Sequence, residues 1–294
     1  MAEVQKRLGV GFGVLASITW LLLIFGSTVR VHGAGLACPD WPLCFGELVP
    51  QLDFRIFLEW GHRLLAGLIS LGFLGLGGAV VVRAELRRRF GVLVGLMVVV
   101  LLAQIVLGGL TVLASLAFWS VTLHLLFGNA FMALMIVLSR RLRGVVPAGA
   151  AHGPLRGVTA VFVLLVTVQM GLGGLVSSNY AGLACVEWPT CNAGVWVPSW
   201  AGAVGLQVLH RLGAYTVVAA AGTLAWLARA DAGSVRPTRL LLLLVLVQVT
   251  LGVLNVLTRM PVELAIAHAA AGHAIVATTA WLVAGTFHRP ALSS

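Results

Sequence analysis

The sequence predicts an all-α integral membrane protein, with eight transmembrane helices arranged as two tandem pseudo-symmetric four-helix bundles. Three observations carry this reading. The first is composition: 60% of the 294 residues are apolar and 10% are charged, where a soluble domain lies near one half and one quarter. The second is length, because apolar runs of roughly 20 residues, enough to cross about 30 Å of hydrocarbon as a helix, recur eight times along the chain. The third is an internal duplication. Cys38 aligns with Cys185, Cys44 with Cys191, His62 with His210, Gln104 with Gln248 and His124 with His268, at offsets of 144 to 148 residues. Helices follow rather than open strands, which cannot satisfy their backbone groups in lipid. A unit of four helices keeps its orientation when repeated, so the units, residues 1–143 and 144–294, should be related by an axis along the membrane normal.

The spans fall near 9–30, 59–82, 91–113, 119–139, 157–177, 203–228, 239–257 and 263–286. The first follows a short basic segment, but it is about 20 residues long and has no A-x-A cleavage site, so it reads as a retained helix. The odd spans end in related small-residue motifs: Phe25-Gly-Ser-Thr, Leu107-Gly-Gly-Leu, Leu172-Gly-Gly-Leu and Leu251-Gly-Val-Leu. Glycine there allows a neighbouring helix or a flat ligand to come close. The even spans carry histidines within about two turns of their starts. Between the spans, loops 31–58 and 178–202 hold one cysteine pair each; the first, with Trp41, reads as an ordered cap, and the second, with Trp188, Trp196 and Trp200, as part of an aromatic belt at the interface. The Arg- and Gly-rich segment 140–156 should join the two halves.

A net charge of +10 would suggest a nucleic-acid partner in a soluble protein, but fourteen of the 19 basic residues lie in the amino terminus, alternate loops and the carboxyl terminus. They mark topology. The positive-inside rule then places both termini in the cytoplasm and the cysteine loops outside, with the lipid bilayer as partner and no nucleic acid.

The chemistry centres on residues 34–63, Ala-Gly-Leu-Ala-Cys38 through Cys44 to Glu59, His62 and Arg63, which return as Ala-Gly-Leu-Ala-Cys185 through Cys191 to Gln207, His210 and Arg211. His62, His124, His210 and His268 share one depth near the outer surface. Two imidazoles on facing helices are a standard way to hold a haem iron from both sides, and His62 pairs best with His124, and His210 with His268. Zinc is the competing metal, but it wants a closed tetrahedral set of N and S ligands, and the cysteines stand at least a turn away from the histidines. Arg63 and Arg211 are placed to meet haem propionates. His273 points about 140° away from His268 and is not expected to be a ligand, while His32, His152 and His288 read as surface groups. The spacing of Cys38–Cys44 and Cys185–Cys191, on the oxidising side of the membrane, predicts a disulfide in each loop. Either is a stiffening clip, and the first also fits a redox role if short and exposed. Glu59 lies one turn from His62 on the same helix face, where a shielded carboxylate can exchange protons near neutral pH; Gln207 leaves the second half without one.

Taken together, the Cys-x₅-Cys loops after Ala-Gly-Leu-Ala, the run Glu59-x-x-His62-Arg63-Leu, His124, and the repeated His210-Arg211 and His268 resemble bacterial haem A synthases over almost the whole chain. The resemblance implies oxidation of the C8 methyl of haem O to a formyl group, giving haem A for terminal oxidases in the bacterial plasma membrane. It further implies that the amino-terminal half takes haem O, with Glu59, Cys38 and Cys44 needed for turnover, and that His210 and His268 hold a haem b. Haem O synthase and an electron-transfer protein would be partners. The residues alone reach only a membrane dihaem protein with one acid-bearing site. A dihaem electron-transfer protein and a haem carrier for oxidase assembly remain alternatives at this stage.

Overall fold

The structure, a computed structural model, describes residues 2–144 and 153–287. Eight helices account for most of them: α1 (Ala2–Val31), α2 (Phe54–Val81), α3 (Ala84–Leu113), α4 (Phe118–Arg143), α5 (Gly153–Ser178), α6 (Gly202–Leu227), α7 (Val235–Leu257) and α8 (Val262–Thr286). All eight are long and apolar enough to cross a membrane. Several begin earlier than their apolar runs. α3 starts in Ala84-Glu85-Leu86-Arg87-Arg88-Arg89, whose residues are strong helix formers, and Leu86, 2% exposed in the first core, anchors this charged flank. α2 starts early because Asp53 caps it, accepting the Ile56 N–H at 2.8 Å.

Within the first half, α1 packs on α2 and α4, and α3 packs on the same two helices; within the second, α5 packs on α6 and α8, and α7 on the same two. The halves meet chiefly where α4 lies against α8 and α5, and α1 against α8. Edge-to-face contacts of Phe73 with Phe12, at 6.4 Å between centroids, and with Phe131, at 5.1 Å, fill the first core. Phe162, Leu224 and Leu241, each fully buried, fill the second. Hydroxyls inside the helices bond back to carbonyls one turn earlier, as Thr19 does to Leu15 and Thr159 to Leu155; that is how such groups are satisfied without water.

The expected connecting segment 140–156 is shorter than its composition suggests. α4 runs through Arg143 to a left-handed Gly144 at φ 64°, and α5 is helical from Gly153. Residues 145–152, with His152, and residues 288–294, with His288 and Arg289, lie outside the described residues.

Candidate functional site

The four histidines occupy one level by construction. His62 and His210 lie eight residues into α2 and α6, and His124 and His268 lie six residues into α4 and α8. The odd-helix glycines are placed with the same regularity: Gly26, Gly108, Gly173 and Gly252 each stand five residues before the end of their helix. The structure brings the two series together. Each imidazole rests on the glycine of the preceding helix, so that a methyl group added at Gly26, Gly108, Gly173 or Gly252 would stand 2.9, 3.1, 3.2 or 3.1 Å from the Cε1 of His62, His124, His210 or His268. What the glycines admit, therefore, is an imidazole.

The polar partners of the rings differ. The Gln104 amide nitrogen lies 3.4 Å from Nε2 of His124, and the Gln248 amide nitrogen 3.1 Å from Nε2 of His268. An amide NH₂ only donates, so these ring nitrogens present lone pairs. The Gln169 amide reaches both Nδ1 and the backbone carbonyl of His210, at 3.1 and 2.9 Å. Leu22 stands at the position in α1 that Gln169 holds in α5, and Nδ1 of His62 is buried without a hydrogen-bond partner. The sequence pattern pointed to Gln104 and Gln248 as a repeated pair. It gave no signal for Gln169, which the repeat does not duplicate.

Above the histidines sit the cysteine loops. Both disulfides form, with S–S distances of 2.01 Å for Cys38–Cys44 and 1.97 Å for Cys185–Cys191. The cysteines are 0% or 1% exposed, so the argument for lability from an exposed first pair does not hold. Each loop makes a tight two-residue turn just after its second cysteine, Phe45-Gly46 or Ala193-Gly194, with positive φ at all four positions. An acid closes each turn: Asp40 accepts the N–H groups of Phe45 and Gly46 at 2.7 Å, and Glu187 those of Ala193 and Gly194 at 3.1 Å. These bonds hold the Asp40 carboxyl below its ordinary value, the Gly46 N–H contributing most, and hold Glu187 down in the same way, again chiefly through its glycine.

Arg63 and Arg211, expected to meet haem propionates, bind these loops. Arg63 donates to the carbonyls of Asp40 at 2.7 Å, Leu43 at 2.6 Å and Cys38 at 3.4 Å. Arg211 donates to Thr190 at 2.8 Å and Cys185 at 3.0 Å. A planar fork of donors suits several converging carbonyls. Glu59 is 4% exposed; one carboxylate oxygen pairs with Arg63 at 2.5 Å and the other accepts the Cys38 N–H at 2.8 Å. Gln207 makes one bond, to the Gly182 carbonyl at 3.0 Å, and its amide oxygen is buried without a partner. The halves thus differ at this position in charge and in bonding. Trp41, in the loop expected to form an ordered cap, lies against Gly109 of α3.

The family model for COX15-CtaA, a cytochrome oxidase assembly protein, matches residues 11–280. The chain belongs to this family. Relatives named haem A synthase include one from Shewanella oneidensis, 28% identical over 293 residues and covering 85% of this chain and 88% of the relative. One from Halalkalibacterium halodurans is 28% identical and covers 92% and 95%; one from Shouchella clausii is 31% identical and covers 70% of each.

A COX15-CtaA chain invites a test against haem. Among the described residues no three His, Cys, Asp or Glu side chains assemble as a metal site, and all four cysteines are in disulfides, which removes the thiolates a zinc set would need. Two glycine-seated imidazoles per half are what the fold offers. The Nε2 lone pairs of His124 and His268 and the orphaned buried Nδ1 of His62 would fit these residues to hold a haem iron.

Proposed function

We propose that this COX15-CtaA chain is a haem A synthase, oxidising the C8 methyl of haem O to a formyl group through successive hydroxylations and loss of water. The observation that carries the reading is Glu59: a buried carboxylate one turn above His62, in one half only. His62 and His124 would hold haem O as substrate; His210 and His268 would hold a resident haem b. When bound, haem b supplies one-electron redox chemistry. The chain's own contribution is positional and protonic. The glycine seats fix the imidazoles, the cysteine loop roofs the first half against water, and Glu59 stands ready to take protons released as the methyl is oxidised, with Arg63 to compensate its charge. Because Glu59 bonds the Cys38 N–H, cleavage of Cys38–Cys44 would be felt at the carboxylate, which gives those cysteines a route to influence turnover despite their burial.

The same reading puts the duplicated halves, 1–143 and 144–294, about an axis along the membrane normal, with both termini in the cytoplasm and the cysteine loops outside. Haem O synthase and an electron-transfer protein are the expected partners.

The test is to give haem O and a redox partner to the purified protein and analyse the extracted haems by chromatography and mass. Wild type yields a formyl product. Glu59→Gln loses it while the haem b spectrum persists, and His210→Ala and His268→Ala each lose that low-spin spectrum. An unchanged haem O pool in wild type under all conditions would return the choice to an electron carrier or a haem carrier.

A further inference from the structure

On the arginine-rich side of the molecule, away from the histidines, a groove of about 820 Å³ runs between α1 and α7, within the size range of small-molecule sites. α1 and α7 both pack on α8, and the groove is the space left between them, so it joins the first half to the second. One face of α1 forms a wall, with Val10, Val14, Ser17 and Trp20 at helical spacing; Ala277 and Trp281 of α8 line the other side, and Leu240 of α7 the rim. Val10, Val14, Leu240 and Trp281 are 40% to 54% exposed, so the groove opens along its length toward what would be lipid. From Val10 to Trp20 it covers ten residues of α1, about 15 Å at the helical rise. That is the depth of one leaflet, about half of the ~30 Å hydrocarbon core.

Its end on the arginine-rich side is charged. Arg143 of α4 and Arg236 of α7 line the mouth, both exposed, and no acidic side chain is among the described lining residues. Two guanidiniums at the level where headgroups begin, above a leaflet-deep apolar slot, match a phosphate and an acyl chain in the right order along one axis. A neutral apolar molecule would leave the arginines without a purpose, and a zwitterionic headgroup would bring its own cation among them.

We propose that this groove is a binding site for an anionic glycerophospholipid of the arginine-rich leaflet, with one acyl chain between α1 and α7 and the phosphate held by Arg143 and Arg236. The lipid bridges the two halves where side chains leave a gap. The site shares no residue with the histidine-bearing end, and its test reads lipid rather than haem.

The full-length protein in neutral detergent is offered equal amounts of phosphatidylglycerol and phosphatidylcholine, and retained lipid is counted by native mass spectrometry. Phosphatidylglycerol should be retained selectively and should raise the melting temperature. R143Q/R236Q, changed at two exposed positions, should lose about 25-fold in that preference, near 5-fold per arginine. Filling the slot with Ala277→Trp should release the lipid; Leu240→Trp, at an exposed site, repeats this should the first variant fail to fold. Equal retention of the two lipids, or a preference unchanged in R143Q/R236Q, would overturn the proposal. So would displacement of the lipid by haem O, which would make the groove a haem port.

Discussion

A glycine at the foot of an imidazole is the residue-scale device of this molecule, used four times with the same spacing from the helix end. Its tolerance is uneven. At Gly26 an added methyl would stand 2.9 Å from the His62 ring, closer than real contacts allow, whereas at Gly173 it would stand 3.2 Å from His210. Gly26→Ala should therefore displace His62, and a misplacement of this kind can cost about 100-fold in rate. Helix stability should not fall with it, since alanine is favoured over glycine in a helix by about 0.5–1 kcal/mol. Formyl-haem production and the melting temperature, measured together, should part in that way; a matched loss of both would mean a packing defect instead. The sequence made these residues legible because the repeat displays them twice, glycines and histidines alike. It hid Gln169, since Leu22 occupies the equivalent place, and it did not reveal the loop carbonyls that Arg63 and Arg211 bind, because an arginine beside a histidine looks the same in sequence whatever it meets.

At the scale of elements, the cysteine loops are held from below by arginine and from within by an acid. Arg63 makes three bonds to loop carbonyls and one to Glu59; a lysine can replace the charge but not the fork. Loss of one charge-assisted bond, about 1.5–3 kcal/mol, should let the loop open more often, so Arg63→Lys should speed thiol reduction of the buried Cys38–Cys44 by about 10-fold or more, followed by thiol alkylation. Asp40 adds a pH signature. Its folded carboxyl lies below the ordinary value of 3.8, so its contribution is present above that value and is lost as pH falls through the lower, folded one. Protection of the Phe45 and Gly46 amides in hydrogen exchange should be constant in its Asp40 contribution from pH 7 to 5 and should fall only below the ordinary value of 3.8. Asp40→Asn should remove that acid transition. Helix ends were the less legible part of the fold. α3 begins in a charged stretch that hydropathy leaves out and α2 in one interrupted by Arg55 and Glu59, and their starts are carried outward by the Asp53 cap on α2, by helix propensity, and by one buried leucine each, Leu58 and Leu86.

For the whole molecule, the informative contacts are those between the halves. Asn129 in α4 and His273 in α8 stand 144 residues apart, at equivalent positions of the repeat, and Nδ1 of His273 meets Oδ1 of Asn129 at 3.0 Å, both side chains buried. Arg30 likewise donates to the carbonyl of Ser177, its counterpart 147 residues on, at 2.7 Å. Sequence alone identified His273 as pointing away from His268 but could not say toward what, because periodicity gives a direction around one helix and not the identity of the neighbour across it. Removing either member of the Asn129–His273 pair leaves a buried polar group unsatisfied, at a cost of about 1–3 kcal/mol. In a chain of this size that amounts to a few degrees, about 2–4 °C per kcal/mol. Asn129 also bonds the Leu125 carbonyl at 2.9 Å, so Asn129→Ala alone overstates the pair, and the double-mutant cycle with His273→Ala separates the two effects. If the halves are locked together through this bond, the double variant should melt higher than the sum of the single losses predicts, by the equivalent of about 1 kcal/mol. Strict additivity would show instead that α4 and α8 are held by apolar packing alone, with the Asn–His bond a consequence of their contact and not a cause.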